Sequence, residues 1–182
     1  FIHQFIKYKQ IEDFFLLGNS LGGHISLIFT KRHPERVKGL ILTGSSGLYE
    51  NAGSSYPKRG SYEYVREKTQ EVFYDPATAT PELIDEVFDI VNNRAKVLHT
   101  LSISKSAIRH NMEKDLPKIN KPTLLIWGKN DIVTPPEVAE QFHQLMPCSE
   151  LHWIDKCGHA PMMEHPIIFN RTLLEWLDRQ KG

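Results

Sequence analysis

This chain has little of what marks several common protein classes. It has two cysteines, Cys148 and Cys157, too few for a disulfide framework. Reduced thiols of a cytoplasmic protein are the expectation. No apolar run approaches the roughly 20 residues that span a bilayer. Lys plus Arg equals Asp plus Glu, 22 each. A chain without net charge has no broad electrostatic footprint for nucleic acid or an anionic membrane. His, Cys, Asp and Glu do not cluster at metal-ligand spacing, and no dinucleotide or P-loop glycine pattern occurs. Neither a metal nor an organic cofactor is therefore expected. Internal repeats and low-complexity tracts are absent. The first residue is Phe1, with no initiator methionine and no signal peptide. The opening FIHQFIKYKQI has Ile2, Phe5 and Ile6 at helical spacing and reads as the inside of a domain, so a missing leader says nothing about the parent protein.

What is present is ordinary globular composition, 40% apolar and 24% charged over 182 residues, enough for one domain with a real core. IEDFFLLG (11–18) ends in a continuous apolar run, as a strand buried on both faces does. After Ser20 the period changes: Leu21, Ile25, Ile28 and Phe29 recur at helical spacing until Pro34. VKGLILTG (37–44) is a second buried strand. Strand, helix and strand in about thirty residues form a right-handed parallel βαβ unit. A Gly- and Ser-rich loop (44–62) leaves this core, and about 55 residues of helical pattern follow. Their clearest start is Thr80-Pro81-Glu82, an N-cap followed by proline. KPTLLIWG (121–128) resumes the strands. TPPEVAEQFHQLM (134–146) predicts a helix with Thr134 and Glu137 as a capping box. ELHWID (150–155) is the next strand and 165–180 the closing helix. The expected fold class is α/β, a mostly parallel sheet flanked by helices. The expected division is a core part at 1–47, a helical cap at 48–118 and a second core part at 119–182.

One short stretch carries chemistry. Gly18-Asn19-Ser20-Leu21-Gly22 matches G-x-S-x-G between a strand and a helix. Reversing the chain in one residue strains the serine and asks for tiny neighbours at 18 and 22. The turn lifts the hydroxyl above the carboxyl ends of the strands, where α/β sheets bind ligands, at a helix N-terminus that favours negative charge. A structural turn without chemistry would use the same residues, so partners decide. A serine nucleophile needs a base, and the base an orienting acid, in the order serine, acid, histidine. Asp131 lies just past the third strand in GKNDIVTP. His159 lies past the fourth in DKCGHAPMMEHP. Asp155 is the rival acid, and Asp131 is preferred because it follows the preceding strand. Cys157 reads as a small buried filler. His24 reads as packing or capping, His152 as strand-borne, and His165 as a solvated cap residue.

These motifs, GNSLGG, WGKNDIVTP and CGHAPMMEHP, with helices inserted after the second strand, resemble the C-terminal two-thirds of an α/β-hydrolase. The resemblance implies Ser20 as nucleophile, His159 as base then acid, and Asp131 as its partner. It implies an oxyanion hole with one donor at the N–H of Leu21. The second donor belongs to a loop upstream, usually marked by a His-Gly pair, and only 19 residues precede Ser20. The family's first four strands have no counterpart either. The expectation is a piece of a longer protein, with strand 14–18 as an apolar edge. Serine at the nucleophile position implies acyl-type chemistry on an ester, thioester, amide or activated C–C bond, with a small-molecule ester or ketone as the expected partner. The elbow is similar to that of C–C hydrolases of aromatic ring-fission products, which carry a cap arginine and a tryptophan after the histidine. Arg94 is the candidate arginine, although an exposed helix arginine explains it equally. Ala160 replaces the tryptophan, which favours a carboxylesterase-like enzyme. Asn19 and Ala160 are further candidate substrate contacts, and Phe73, Tyr74, Phe88, Leu98, Leu101 and Ile108 candidate pocket walls. A hydrolase-fold binding protein without catalysis is the competing class.

Overall fold

The computed structural model describes residues 1–50 and 60–181. Helix α1 (Ile2–Tyr8) leads into strand β1 (Phe14–Asn19), helix α2 (Leu21–Arg32) and strand β2 (Val37–Thr43). Three helices follow, α3 (Tyr62–Gln70), α4 (Pro81–Asn92) and α5 (Arg94–Arg109). The chain returns through β3 (Thr123–Gly128), α6 (Pro136–Leu145), β4 (Ser149–Ile154), the short α7 (Pro161–Glu164) and α8 (Pro166–Arg179). The predicted wall residue Ile108 has a side chain outside the described set, as does part of the 44–62 loop.

The four strands are parallel in the order β1-β2-β3-β4. Continuous apolar runs arise because helices cover both faces. Leu40, Leu42, Leu125 and Trp127 pack with Leu27 of α2 and Phe142 of α6. Their alternates Ile41, Leu124 and Ile126 pack with Phe169 and Trp176 of α8. A side-chain period of two therefore supplies two cores from one run of residues. β1 is an edge of the described sheet, and Leu17 on it is half-exposed.

Helix starts follow local chemistry. Thr80 Oγ1 accepts from the Leu83 N–H at 3.3 Å, with Pro81 at the first helical position. Asn93 caps α5 in the same manner, accepting from Lys96 at 3.1 Å. The capping box predicted at Thr134 does not form. α6 begins after Pro135 without a side-chain cap, because the Thr134 hydroxyl and N–H are both engaged by Asp131. The loops that follow the carboxyl ends of β1, β3 and β4 carry Ser20, Asp131 and His159.

Candidate active site

Ser20 ends β1 and precedes α2 with φ +52° and ψ −120°. A non-glycine residue at this φ costs roughly 1–3 kcal/mol and persists only where its surroundings hold it. Here the surroundings do. Ser20 N–H donates to the Thr43 carbonyl at 3.0 Å, and its own carbonyl accepts from Gly23 and Ser46, each at 3.0 Å. The turn requires glycine at 18, where a Cβ would stand 2.3 Å from the Gly22 carbonyl carbon and 2.4 Å from the Gly23 nitrogen. The expectation for residue 22 is corrected: a Cβ there meets no described atom within 4 Å. The second crowded position is Gly23, facing Ser45 Oγ at 2.3 Å.

The β3 and β4 loops are laced together by their backbones. Asn130 N–H donates to the Cys157 carbonyl at 2.9 Å and Lys129 N–H to Ile154 at 2.9 Å. This brings Asp131 to His159. Oδ2 of Asp131 lies 2.8 Å from Nδ1 of His159, with both side chains buried. Asp131 is also saturated with donors. Oδ1 accepts from the N–H groups of Val133 (2.8 Å) and Thr134 (2.9 Å), and Oδ2 accepts the Thr134 hydroxyl at 2.8 Å. A carboxylate so placed holds the ring with its proton on Nδ1, leaving the Nε2 lone pair as the basic site. The ring lies against Gly44 (φ +48°), where a Cβ would come within 2.8 Å of Nδ1.

Asn19 fastens the elbow to the histidine loop. Its Nδ2 donates to the carbonyls of Thr43 and His159, each at 3.0 Å. Among the described residues no hydrogen bond joins the Ser20 hydroxyl to the imidazole. Such contacts are commonly long before substrate binds. The Leu21 N–H sits in the first turn of α2, where backbone donors have no acceptor within the helix.

A cavity of about 570 Å³ lies over this arrangement. Asn19, His159 and Ala160 form its floor, and Val65, Val72, Phe73, Leu83, Val87 and Val91 its apolar walls. Lys68 is the charged side chain among its described lining, and it pairs with Glu71 at 2.6 Å. Of the expected wall residues, Phe73 takes its place, whereas Tyr74 and Leu98 are half-exposed and Phe88 packs on Tyr62, ring centroids 5.3 Å apart. Arg94 stands exposed at the start of α5, outside this lining. The rival acid Asp155 has a 76% exposed side chain and pairs with Lys129 at 3.1 Å, away from the imidazole. Cys157 is fully buried, and burial followed by the nearby Glu164 carboxylate pushes its thiol well above the usual range. Burial favours the protonated thiol, which is the unreactive form.

Sequence reasoning missed Thr134, Lys68 and Glu164. Thr134 was legible in principle, because Asp131-x-x-Thr134 is an Asx-turn spacing that competes with a helix cap. It also missed the pairing of His24 with His110. Nε2 of His24 lies 2.9 Å from Nδ1 of His110, with the rings stacked. Burial, then His110, pushes His24 down to about 4.

Comparison with known proteins agrees with this architecture. Residues 1–172 match the model of the alpha/beta hydrolase family. A Pseudomonas protein named 2-hydroxy-6-oxononadienedioate/2-hydroxy-6-oxononatrienedioate hydrolase is 30% identical over 177 residues, covering 90% of this chain and 62% of its own length. A Burkholderia vietnamiensis protein of the same name is also 30% identical, again with 62% covered. The chain thus spans less than two thirds of these curated relatives. An alpha/beta hydrolase enzyme from a sediment metagenome of the Mar Chica lagoon, Morocco, is 48% identical with a TM-score of 0.77, covering all of this chain and 68% of that one. A serine hydrolase of Cycloclasticus zankles shares the fold at 23% identity, TM-score 0.87, with 100% and 69% covered. With an elbow, an acid loop and a histidine loop at the strand ends of such a sheet, and with 1–172 matched, the chain belongs to the alpha/beta hydrolase family.

Proposed function

We propose that this chain carries the acyl-transfer machinery of a serine hydrolase acting on a small ester or related carbonyl compound. Ser20 is the nucleophile, His159 the base and then the acid, and Asp131 the group that orients the imidazole. The observation that supports this most is the buried 2.8 Å Asp131–His159 bond beside a strained serine elbow. His159 Nε2 takes the Ser20 proton as Oγ adds to the substrate carbonyl. The resulting oxyanion is met by the Leu21 N–H at the positive end of α2. Collapse expels the leaving group, which takes the proton from His159. Water, deprotonated by the same nitrogen, adds to the acyl carbon; the acyl–Oγ bond breaks, the acid leaves, and His159 returns the proton to Ser20 Oγ. In this reading residues 48–118 form the cap, 1–47 and 119–182 the core, and the 570 Å³ cavity holds the acyl part. Asn19 holds the two catalytic loops together, since its amide is already spent on two carbonyls. Ala160 shapes the floor.

A second reading is hydrolysis of a C–C bond, as the names of the Pseudomonas and Burkholderia relatives state for those proteins. Lys68 favours it here, because a cationic side chain is among the residues lining the cavity whereas Arg94 is not, and an anionic substrate would have to take the Lys68 ammonium from Glu71, 2.6 Å away. Ala160 after the base stands against it. Steady-state turnover of p-nitrophenyl butyrate and of a 2-hydroxy-6-oxo-dienoate separates the two. Turnover of either that vanishes in Ser20→Ala supports a serine hydrolase. Turnover of neither by a folded protein that carries any upstream coding sequence of its gene, with retained binding of the dienoate, would move a non-catalytic binding protein to the front.

A further inference from the structure

Glu164 closes the short helix α7 and takes no part in the Asp131–His159 bond. Its carboxylate nevertheless gathers backbone donors from two separate segments. Oε1 accepts the N–H of Gly158, the residue before His159, at 2.7 Å. Oε2 accepts the N–H of Tyr74 at 2.7 Å and that of Asp75 at 3.4 Å, in the turn after α3. The Cys157 sulfur lies 3.7 Å from Oε1. The two segments also touch directly. His159 N–H donates to the Val72 carbonyl at 2.9 Å, and a Cβ on Gly158 would stand 2.5 Å from that same oxygen. An ionised carboxylate is the side chain that accepts on both of its oxygens, and its bonds to N–H groups are charge-assisted. Val72 and Phe73 form part of the cavity wall, and His159 forms part of its floor. One carboxylate therefore bridges the loop that carries the imidazole and the wall that bounds the acyl site.

We propose that Glu164 is a positioning residue that holds the His159 loop and the Val72–Phe73 wall in one register, placing base and acyl pocket together. The inference rests on His159 being the base. Glu164→Gln keeps the shape but turns an N–H₂ group toward an N–H donor, so one of the two segments is released. Misplacement of a reacting group by about 1 Å costs on the order of 100-fold. The wall matters only to substrates long enough to reach it, whereas the base matters to all.

The test is steady-state hydrolysis of p-nitrophenyl acetate and p-nitrophenyl hexanoate by the wild type, Glu164→Gln and His159→Ala, each expressed with any upstream coding sequence its gene carries. Rates are expressed per folded protein, with the folded fraction read from the tryptophan-fluorescence urea transition of each variant. For Glu164→Gln, kcat is expected to fall about 10- to 100-fold on both esters, and KM to rise on the hexanoate alone. Amide hydrogen exchange is expected to quicken at Gly158, at Tyr74 or at both. If Glu164→Gln folds poorly, Glu164→Asp serves the same purpose, keeping the charge while falling short of spanning both segments. Wild-type kcat per folded protein in Glu164→Gln, with His159→Ala inactive, would overturn the proposal alone. Retained turnover in His159→Ala would overturn the assignment of the base and the proposal with it.

Discussion

The two glycines of the elbow motif are predicted to differ sharply in what they tolerate. Alanine at 18 would place its Cβ 2.3 Å from the Gly22 carbonyl carbon and 2.4 Å from its oxygen. Carbon atoms in contact sit about 3.5–4.0 Å apart, so the overlap exceeds an ångström and falls on backbone. The start of α2 cannot withdraw, because Ser20 is tied through its N–H to Thr43 and through its carbonyl to Ser46. Overpacking of this kind costs about 1–3 kcal/mol, and the lack of a flexible neighbour puts Gly18→Ala at the upper end. Alanine at 22 meets nothing within 4 Å among described atoms and lies inside a helix. Replacing a helical glycine with alanine gains about 0.5–1 kcal/mol. The two variants should therefore stand about 4 kcal/mol apart. Urea denaturation monitored by tryptophan fluorescence measures this directly, and thermal midpoints should differ by roughly 8–16 °C, at about 2–4 °C per kcal/mol for this size. Gly22→Ala destabilised as much as Gly18→Ala would refute the account of the elbow's packing.

Three further outcomes follow from buried and exposed charge. His24 titrates at about 4 when folded, against 6.5 unfolded. The unfolded chain thus takes up a proton first as pH falls, so this stability is complete above 6.5 and is lost between 6.5 and 4. By pH 4.5 the loss is roughly 2–3 kcal/mol, and His24→Gln should lack that part of the acid slope in urea midpoints taken at pH 7 and 4.5. Asp131→Asn should cut acyl turnover by about 10⁴, as when a triad acid loses its charge and the imidazole takes the wrong tautomer. Asp155→Asn should change turnover and stability little, since an exposed pair contributes about 0–1 kcal/mol; comparable kinetic losses in the two variants would mean that the acid is misassigned.

What was legible in the sequence is what local chemistry alone decides. The runs in 11–18 and 37–44 read as buried strands and 121–128 as the next strand; β2 and β3 are covered by helices on both faces, whereas β1 is a partly exposed edge. Thr80-Pro81 reads as a helix start because both residues act within one turn. Asp131 and His159 could be placed at strand ends and hence near each other, and they are 2.8 Å apart. The failures are all competitions or long-range contacts. Thr134 has the spacing of a capping box, but Asp131 three residues earlier takes its hydroxyl and N–H. Gly22 fits the motif, yet the crowded neighbour is Gly23, through Ser45 on a different strand end. Arg94 lies outside the described cavity lining, in which the cationic side chain is Lys68 on α3. His24 meets His110 across 86 positions, and Glu164 meets Tyr74 across 90. No local periodicity carries such pairings.

The most direct test of the central claim is fluorophosphonate labelling followed by peptide mass spectrometry. It should compare the wild type with Ser20→Ala and His159→Ala, each with the upstream coding sequence restored. The account predicts a single adduct on Ser20, absent in Ser20→Ala and formed at least about 100-fold more slowly in His159→Ala, the scale on which removal of a general base acts. An adduct on another residue, or none in the folded wild type, would contradict a serine hydrolase built on Ser20, His159 and Asp131.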